Sequence, residues 1–264
     1  MKRASYPSDL NDSEWEIIKS IMEVVQPYTT GRPIETDYRE IWNAIFYLNR
    51  TGCQWRYLPH DFPPPTTVNY HYMKWLRNGV YRQVNDALRS YLREEEDRTS
   101  TPSAGIIDSQ SVKGTPESGV EESGIDGGKL VKGRKRHIIT DTNGYPIEVV
   151  SHAANTADSV GGREVLKRLF ERFDTIELIW ADGAYKGLVD WGLDKFDCVI
   201  EIVKKKGSED KKGFQVLPRR WVVERTFAWL NRFRRLSKDY ERKPESSESM
   251  GYIASIRLLI NRLS

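Results

Sequence analysis

Apolar residues recur at helical spacing through the first hundred residues of the chain. A stripe of Trp15, Ile18, Met22 and Val25 behind the cap candidates Asn11, Asp12 and Ser13 predicts a helix over residues 12–25. Three further helices are predicted from about Thr36 to Asn49, from Thr66 or Thr67 to Gly79, and along Tyr81, Val84, Leu88 and Tyr91. The charge run REEEDRTSTPS then ends the helical pattern. We therefore place a domain boundary at about residue 100, after a small all-α N-terminal domain over residues 1–100.

Short runs rich in β-branched residues replace this pattern in the second domain, over residues 101–264. They predict strands over residues 104–108, 136–142, 145–152, 176–182 and 198–203, with a hairpin at Asn143-Gly144. Helical spacing follows in three places: at Val165, Leu166, Leu169 and Phe170, from Pro218 to about Leu236, and at Ile253, Ile256 and Ile260. The order of elements predicts the α/β class, with a mixed sheet flanked by helices.

Composition and charge narrow the class of protein. A net charge of +3 over 264 residues is mild, but two segments are strongly basic. Residues 204–243 hold fourteen Lys or Arg against five Asp or Glu, and KLVKGRKR at 129–136 holds five basic residues and no acid. Such blocks are more often solvated surface, although they also favour a phosphate-rich partner. No secretory signal, membrane-spanning run or cysteine pair is recognised, so we expect a cytoplasmic protein without membrane contact.

Three acids are the candidate chemistry. We expect Asp108 to end the first strand of the second domain, Asp182 to end the fourth, and Glu224 to lie on the basic helix, in line with Arg220, Asn231 and Arg235. Each acid also has an ordinary interpretation. The aspartates suit turns, and a glutamate between arginines suits surface ion pairs. Catalysis therefore depends on all three acids meeting in space.

Long strings around these acids resemble a known family. IIDSQSVKG, WADGAYKG and RRWVVERTFAWLNRFRRLSKDYER are similar to the three blocks of DDE transposases of prokaryotic insertion sequences, in the insertion-sequence-five group. GRPIETDYREIWNAIFYLNRTGCQWRYLPHDFPPPTTV is similar to the N-terminal domain that precedes their catalytic core. The resemblance thus covers nearly the whole chain.

The resemblance implies an RNase H-like catalytic domain in which Asp108, Asp182 and Glu224 bind two Mg²⁺ ions, with Mn²⁺ as a substitute. It also implies double-stranded DNA partners, namely terminal inverted repeats and target DNA, and a homo-oligomer on DNA in the prokaryotic nucleoid. The third block of the wider superfamily has a Tyr, Arg, Glu, Lys signature. Here Arg220 and Glu224 match, but Leu217 replaces the Tyr and Asn231 the Lys, so Arg232 or Arg235 would have to substitute.

Basic and aromatic residues near these blocks are candidate DNA contacts, which would give affinity and salt dependence rather than sequence choice. They are Lys113, Lys132, Arg134, Lys135, Tyr185, Lys186, Arg220, Arg225, Arg232 and Arg235, with Lys74 and Arg77 on the third helix. That helix could enter a DNA groove, or the N-terminal domain could instead mediate self-association. Two alternatives remain open: an RNase H-like nuclease without strand transfer, and an inactive, transposase-derived DNA-binding protein.

Overall fold

The chain folds into two compact units. A computed structural model describes residues 3–27, 36–115, 121–203 and 219–263. The helical unit comprises Met1–Arg98, Leu230–Lys238 and Ser249–Ser264, and the sheet unit comprises Thr99–Trp229 and Asp239–Glu248. The first change of unit lies near residue 100. Two later segments that the sequence assigns to the second domain belong to the helical unit in the structure.

Helices and strands alternate along the described residues as follows. The helices are α1 (Asp12–Val25), α2 (Tyr38–Thr51), α3 (Pro65–Arg77), α4 (Val80–Glu95), α5 (Asp158–Phe170), α6 (Val189–Phe196), α7 (Trp221–Leu230), α8 (Arg234–Ser237) and α9 (Pro244–Leu263). The strands are β1 (Ala104–Lys113), β2 (Gly124–Asp126), β3 (Val131–Asp141), β4 (Pro146–Ala153), β5 (Leu178–Ala181) and β6 (Val199–Ile202). Two short 3₁₀ segments cover Trp55–Tyr57 and Gly183–Leu188.

The helical unit has an aromatic core. Trp42 stacks on Trp75 with ring centroids 5.2 Å apart, and both indoles are fully buried. α1 begins at a capping box formed by Asn11 and Glu14, as Asn11 at that position predicts. α3 differs from its prediction. It begins at Pro65 without a side-chain cap, because proline itself is suited to the first helical turn.

The sheet unit has a mixed sheet of RNase H-like type. Its strand order is β2-β3-β1-β5-β6, and β4 also pairs with β3. β1 pairs antiparallel with β3 and parallel with β5, and β5 is parallel to β6. The β3–β4 hairpin turns at Asn143-Gly144 as predicted. Helices α5 and α6 cover one face, where Ile107, Ile139 and Val150 belong to the apolar core.

Two local predictions in the sheet unit need correction. Asp108 does not end β1, because β1 continues in antiparallel pairing with β3 as far as Lys113. The basic helix is shorter than predicted, since α7 ends at Leu230 and a new helix, α8, starts at Arg234. Asn231 and Arg235 therefore do not continue a helical line through Glu224. The predicted helix start at Pro218, and Leu217, lie outside the described residues.

Within the described part of the chain, no helix combines the length and the hydropathy needed to cross a membrane. Cys53 and Cys198 are free thiols.

Candidate active site

Asp108 and Asp182 occupy neighbouring strands in matching register. The parallel ladder pairs Gly105 with Ile179 and Ile106 with Trp180, so the same register continued by two residues sets Asp108 beside Asp182. β5 ends at Ala181, and Asp182 caps the 3₁₀ segment that follows by accepting the Ala184 amide at 2.9 Å through Oδ1. The turn-forming role proposed as the ordinary interpretation of Asp182 is thus real. It leaves the second carboxylate oxygen available.

One arginine, Arg220, lies beside all three acids. Nη2 of Arg220 lies 3.2 Å from Oδ2 of Asp108, 3.6 Å from Oδ2 of Asp182 and 3.7 Å from Oε1 of Glu224. Because all three oxygens lie within 3.7 Å of a single atom, the acids converge in space although they are far apart in the chain. Exposure of the side chains rises from Asp108 (16%) through Asp182 (32%) to Glu224 (45%). The cluster therefore opens to solvent on the side of α7.

The β3–β4 turn holds α7, and with it Glu224, against the sheet unit. Oγ1 of Thr226 donates to the Gly144 carbonyl at 2.7 Å, and Nη2 of Arg225 donates to the Asn143 carbonyl at 2.7 Å. Gly144 has a φ of +88°, and a Cβ there would lie 2.9 Å from Oγ1 of Thr226. Only glycine fits such a close, left-handed position without strain. Gly144, part of the turn that the sequence predicts, is thus also the residue against which α7 packs.

Arg225 is sandwiched between two tryptophans of its own helix. Its guanidinium carbon lies 4.6 Å from the ring centroid of Trp221 and 4.4 Å from that of Trp229. Spacings of four residues along α7 produce this stack. Together with the bond to Asn143, it indicates that Arg225 anchors α7.

Burial governs the electrostatics of Asp108. Desolvation raises the pKa of its carboxyl group, and this is opposed by the Ser109 amide, which donates to Oδ1 at 2.7 Å, and by the charge of Arg220. The nearby charge of Asp182 raises the pKa further. A buried carboxylate beside a second one is stabilised by a cation, and Arg220 supplies one here.

The donor chemistry of the cluster suits a hard divalent cation. Carboxylate oxygens are the protein ligands of Mg²⁺, and three of these side chains meet here. As they stand, however, no set of three or more His, Cys, Asp or Glu side chains within the described ranges has the geometry to close around a metal ion. At this site the three carboxylate groups instead lie around Nη2 of Arg220.

The candidate DNA contacts divide by burial. Lys113, Lys132, Lys186, Arg77 and Arg232 are exposed, and Lys74, Arg220 and Arg225 are half-buried. Arg134, Lys135, Tyr185 and Arg235 are buried, which disagrees with the prediction that they contact phosphates.

Each buried cation already has protein partners. Arg134 donates to the carbonyls of Glu121, Glu241 and Arg242, and Lys135 donates to the Thr156 carbonyl. Arg235 donates to the Cys53 carbonyl within the helical unit. The second half of the run KLVKGRKR, residues 133–136, is therefore interior, because backbone oxygens and aspartates replace water around its cations, whereas Lys129 and Lys132 are exposed.

Sequence reasoning did not predict that one group of polar residues meets beside Asp108, and it named only Lys135 among them, as a DNA contact. The group lies on one face of the sheet unit and consists of Ser109, Lys135, His137, His152 and Asp158. Their spacing in the sequence matches no ligand or catalytic pattern. The available signal was the strand alternation, which places Ser109, Lys135 and His137 on a common face once the β1–β3 pairing is known.

The fold and the site define an RNase H-like α/β protein with an acidic centre. Residues 99–259 match the family described as "Transposase DDE domain", and residues 10–85 match "Putative transposase of IS4/5 family". The chain belongs to the DDE transposases of insertion sequences.

Comparison with individual proteins agrees with this family. The chain is 28% identical over 177 residues to "Putative transposase for insertion sequence element IS402" of Burkholderia cepacia, covering 60% of this chain and 75% of that relative. No solved structure matches. Members of the family are DNA-cleaving and strand-transferring enzymes that depend on divalent metal.

Proposed function

We propose that Asp108, Asp182 and Glu224 are the catalytic carboxylates of this transposase. The observation that supports the proposal most is their convergence on Nη2 of Arg220, at 3.2, 3.6 and 3.7 Å. A cluster of three acids around one cationic group is a site built to neutralise positive charge. Its exposed side, at Glu224, is open to a large substrate.

In this proposal the three acids hold two Mg²⁺ ions, and Mn²⁺ can replace them. When bound, a pair of such ions activates the attacking oxygen and stabilises the leaving oxygen. The Ser109 amide orients the Asp108 carboxylate by its bond to Oδ1, and the Ala184 amide does the same for Asp182. The bond between Thr226 and Gly144 keeps Glu224 facing the two aspartates.

The proposed reaction has two steps at one site. Water first attacks the phosphodiester at the end of the element, which breaks the bond to the flanking DNA and frees a 3′-hydroxyl. That hydroxyl then attacks a phosphodiester of the target DNA and displaces a new 3′-hydroxyl. The substrates are double-stranded DNA carrying terminal inverted repeats and the target duplex, so the protein would act in the nucleoid, as a homo-oligomer that joins two ends.

The exposed lysines are the proposed phosphate contacts. Lys186 lies in the 3₁₀ segment that Asp182 caps, and Lys113 and Lys132 are exposed on β1 and β3. Alanine at any of the three positions should weaken binding to all DNA sequences and reduce its salt dependence by about one ion per lysine. Fluorescence anisotropy at several salt concentrations measures this.

The helical unit is proposed to bind element ends or to mediate self-association. Because segments 230–238 and 249–264 belong to this unit, deleting residues 1–95 would strip them of their packing partners. Lys74→Ala and Arg77→Ala on α3 are the sharper test. Loss of end-specific binding supports groove recognition, whereas unchanged binding leaves self-association as the role of the unit.

The decisive experiment for the active site uses purified full-length protein, labelled element ends and Mg²⁺. Asp108→Asn, Asp182→Asn and Glu224→Gln should each abolish nicking and strand transfer while leaving DNA binding intact. Asp190→Asn, an exposed aspartate on α6, is the matched control and should keep full activity. Cleavage retained by Asp108→Asn would overturn the assignment. Nicking without joining of pre-cut ends would instead identify a nuclease that lacks strand transfer.

A further inference from the structure

A partly buried group of polar residues lies directly behind Asp108, on the face of β1, β3 and β4 that α5 covers. We call Ser109, Lys135, His137, His152 and Asp158 the polar cluster. Oγ of Ser109 donates to Oδ1 of Asp158 at 2.9 Å, and Nζ of Lys135 lies 3.0 Å from the same oxygen. Asp158 is the first residue of α5. It therefore links this helix to both central strands of the sheet.

The two histidines extend the cluster to β4. Nδ1 of His137 lies 2.8 Å from Nε2 of His152, and Nε2 of His137 lies 3.6 Å from Oδ1 of Asp158. α5 approaches them closely at Gly161, where a Cβ would lie 2.2 Å from Nε2 of His152 and 2.5 Å from Cε1 of His137. Such an approach requires glycine at this position. The contact fixes the start of α5, and thus Asp158, against the sheet.

Stability alone gives a weak reason for this arrangement. Lys135 and His137 are both nearly inaccessible to solvent, and removing charged and polar groups from water is unfavourable. Well-packed apolar residues of similar volume often stabilise a protein as well as a buried ion pair does, or better. What an ion pair adds is direction, because its partners are held at defined angles and distances. The contacts of Asp158 indicate which group this ion pair orients.

Asp158 is connected to Asp108 through one residue, Ser109. The Ser109 hydroxyl is bound to Asp158, and the Ser109 amide donates to Oδ1 of Asp108 at 2.7 Å. Fixing the side chain of Ser109 therefore fixes the amide that orients the Asp108 carboxylate. We propose that Asp158 is a positioning residue of the transposase, which holds Asp108 in its ligating orientation through Ser109 and is itself held by Lys135. This inference rests on the proposed role of Asp108.

The structure contains a matched control for this role. Asp126 accepts a hydrogen bond from Oγ of Ser111, and Nζ of Lys135 lies 3.9 Å from its Oδ2. Asp126 thus repeats the contacts of Asp158, with a serine of β1 and the same lysine. Its serine lies two residues farther along the strand and does not touch Asp108. Loss of either aspartate should destabilise the fold, Asp126 also through the bonds that its Oδ1 accepts from the Gly128 and Lys129 amides, but only Asp158 should affect the acidic centre.

The test compares Asp158→Ala, Ser109→Ala and Asp126→Ala in the full chain. The readouts are affinity for Mn²⁺ or Tb³⁺ without DNA, measured by calorimetry or sensitised luminescence, and kcat and KM for nicking. Substitutions of residues that orient metal ligands typically lower metal affinity or activity by about 10-fold to 100-fold. We expect that loss for Asp158→Ala and Ser109→Ala, in ion affinity and in kcat, with KM for DNA unchanged and kcat partly recovered at high Mn²⁺. Asp158→Asn, which keeps an acceptor for Ser109, should lose less than Asp158→Ala.

Asp126→Ala should leave ion affinity and kcat unchanged even where its melting temperature falls. Equal effects of Asp158→Ala and Asp126→Ala, or wild-type ion affinity in Asp158→Ala, would overturn the inference. Ser109→Ala removes one hydroxyl and decides the matter if Asp158→Ala does not fold. Asp108→Asn distinguishes the two proposals. If it is inactive while Ser109→Ala and Asp158→Ala behave as wild type, only the positioning role fails, whereas an active Asp108→Asn removes the proposed active site itself.

Discussion

α2 and β3 are both buried segments, one in each unit, but they are buried by different means. Four of the most buried residues of α2 are Trp42, Ile45, Phe46 and Leu48, which pack against other apolar side chains. β3 instead buries the consecutive residues Arg134, Lys135, Arg136 and His137. In α2 the loss of water is itself favourable, whereas in β3 it must be offset by a partner for each polar group.

The difference has a consequence for function. Apolar packing tolerates substitutions that conserve volume, because it is not directional. A cation held by named acceptors is directional, and the buried cations of β3 lie in the unit that carries the three acids. The comparison indicates that apolar burial holds α2 in place, whereas directional polar contacts hold β3.

Arg134→Ala should have the largest effect on stability. Arg134 and Asp239 are both fully inaccessible to solvent, with Nη1 of the arginine 3.3 Å from Oδ1 of the aspartate. Removing the arginine takes the nearest cation from a buried carboxylate and one donor from each of three carbonyls. The free energy of unfolding should fall by roughly 3–5 kcal/mol, measured by urea titration. Lys132→Ala, an exposed neighbour on the same strand, should change it by less than about 0.5 kcal/mol. A similar small change for Arg134→Ala would mean that β3 does not depend on its ion pairs.

Ile45→Ala tests the apolar packing of α2. Ile45 is fully buried in the helical unit, so its truncation removes apolar contacts and leaves a cavity. The free energy of unfolding should fall by about 3 kcal/mol. Because Ile45→Ala removes no charge, this loss should not change between 0.05 and 1 M salt at constant pH. A clear salt dependence of the Ile45→Ala effect would contradict the apolar nature of the packing around α2.

The helical unit was also the easier one to predict from sequence. Helical spacing of Trp15, Ile18 and Met22 gave α1 with its observed bounds, because amphipathic helices carry their period in the sequence. Apolar periodicity cannot identify a buried cation. KLVKGRKR has the composition of a solvated surface, and the burial of Arg134 and Lys135 within it depends on the acceptors Asp239 and Thr156, which are not adjacent to them in the chain.

The three acids were identifiable from sequence, but their geometry was not. Short strings around Asp108, Asp182 and Glu224 carry the family resemblance, and the parallel register of β1 and β5 explains why two of them meet. The position of Arg220 among them and the polar cluster behind Asp108 arise from tertiary contacts alone. Asp158 illustrates this best, since its sequence context at the start of a helix suggests only a favourable helix-terminal charge.

The histidines of the polar cluster predict a moderate pH effect. The pKa of His137 is lowered to about 3, mainly by burial. The positive charges of His152, Lys135 and Lys129 also lower this pKa, whereas the negative charge of Asp158 raises it. Between that value and the ordinary pKa of 6.5, the unfolded chain binds a proton that the folded protein does not, so stability is lost as the pH falls below 6.5. From pH 7.5 to 5, His137 should contribute roughly 2 kcal/mol to the loss of unfolding free energy.

His137→Gln should flatten this pH dependence, measured by urea titration at pH 5, 6 and 7.5. His60→Gln is the control, because His60 is exposed and its substitution should leave the slope unchanged. An equal slope in wild type and His137→Gln would show that the buried histidine does not bind its proton differently in the two states.

We expect the smallest effect from a substitution of Arg220, whose partners differ from those of Arg134 in β3. Arg134 donates to backbone carbonyls, which are fixed parts of the fold. Nη2 of Arg220 instead lies beside three acids that are also suited to bind a divalent ion. Nε of Arg220 is buried without a hydrogen-bond partner among the described residues, so its position is incompletely satisfied. We expect the guanidinium and a divalent ion to compete for the same carboxylates, since like charges at this distance repel.

Arg220→Gln should therefore strengthen Mn²⁺ or Tb³⁺ binding in the absence of DNA, by on the order of tenfold, which corresponds to about 1.4 kcal/mol. Arg219→Gln is the matched control. Its guanidinium carbon lies 4.0 Å from the ring centroid of Trp180 and has no ion pair with the three acids among the described contacts, so ion affinity should stay unchanged. Weaker ion binding in Arg220→Gln would show that the arginine organises the acids for the metal. Stronger binding would show instead that the arginine competes with the ion for the three carboxylates.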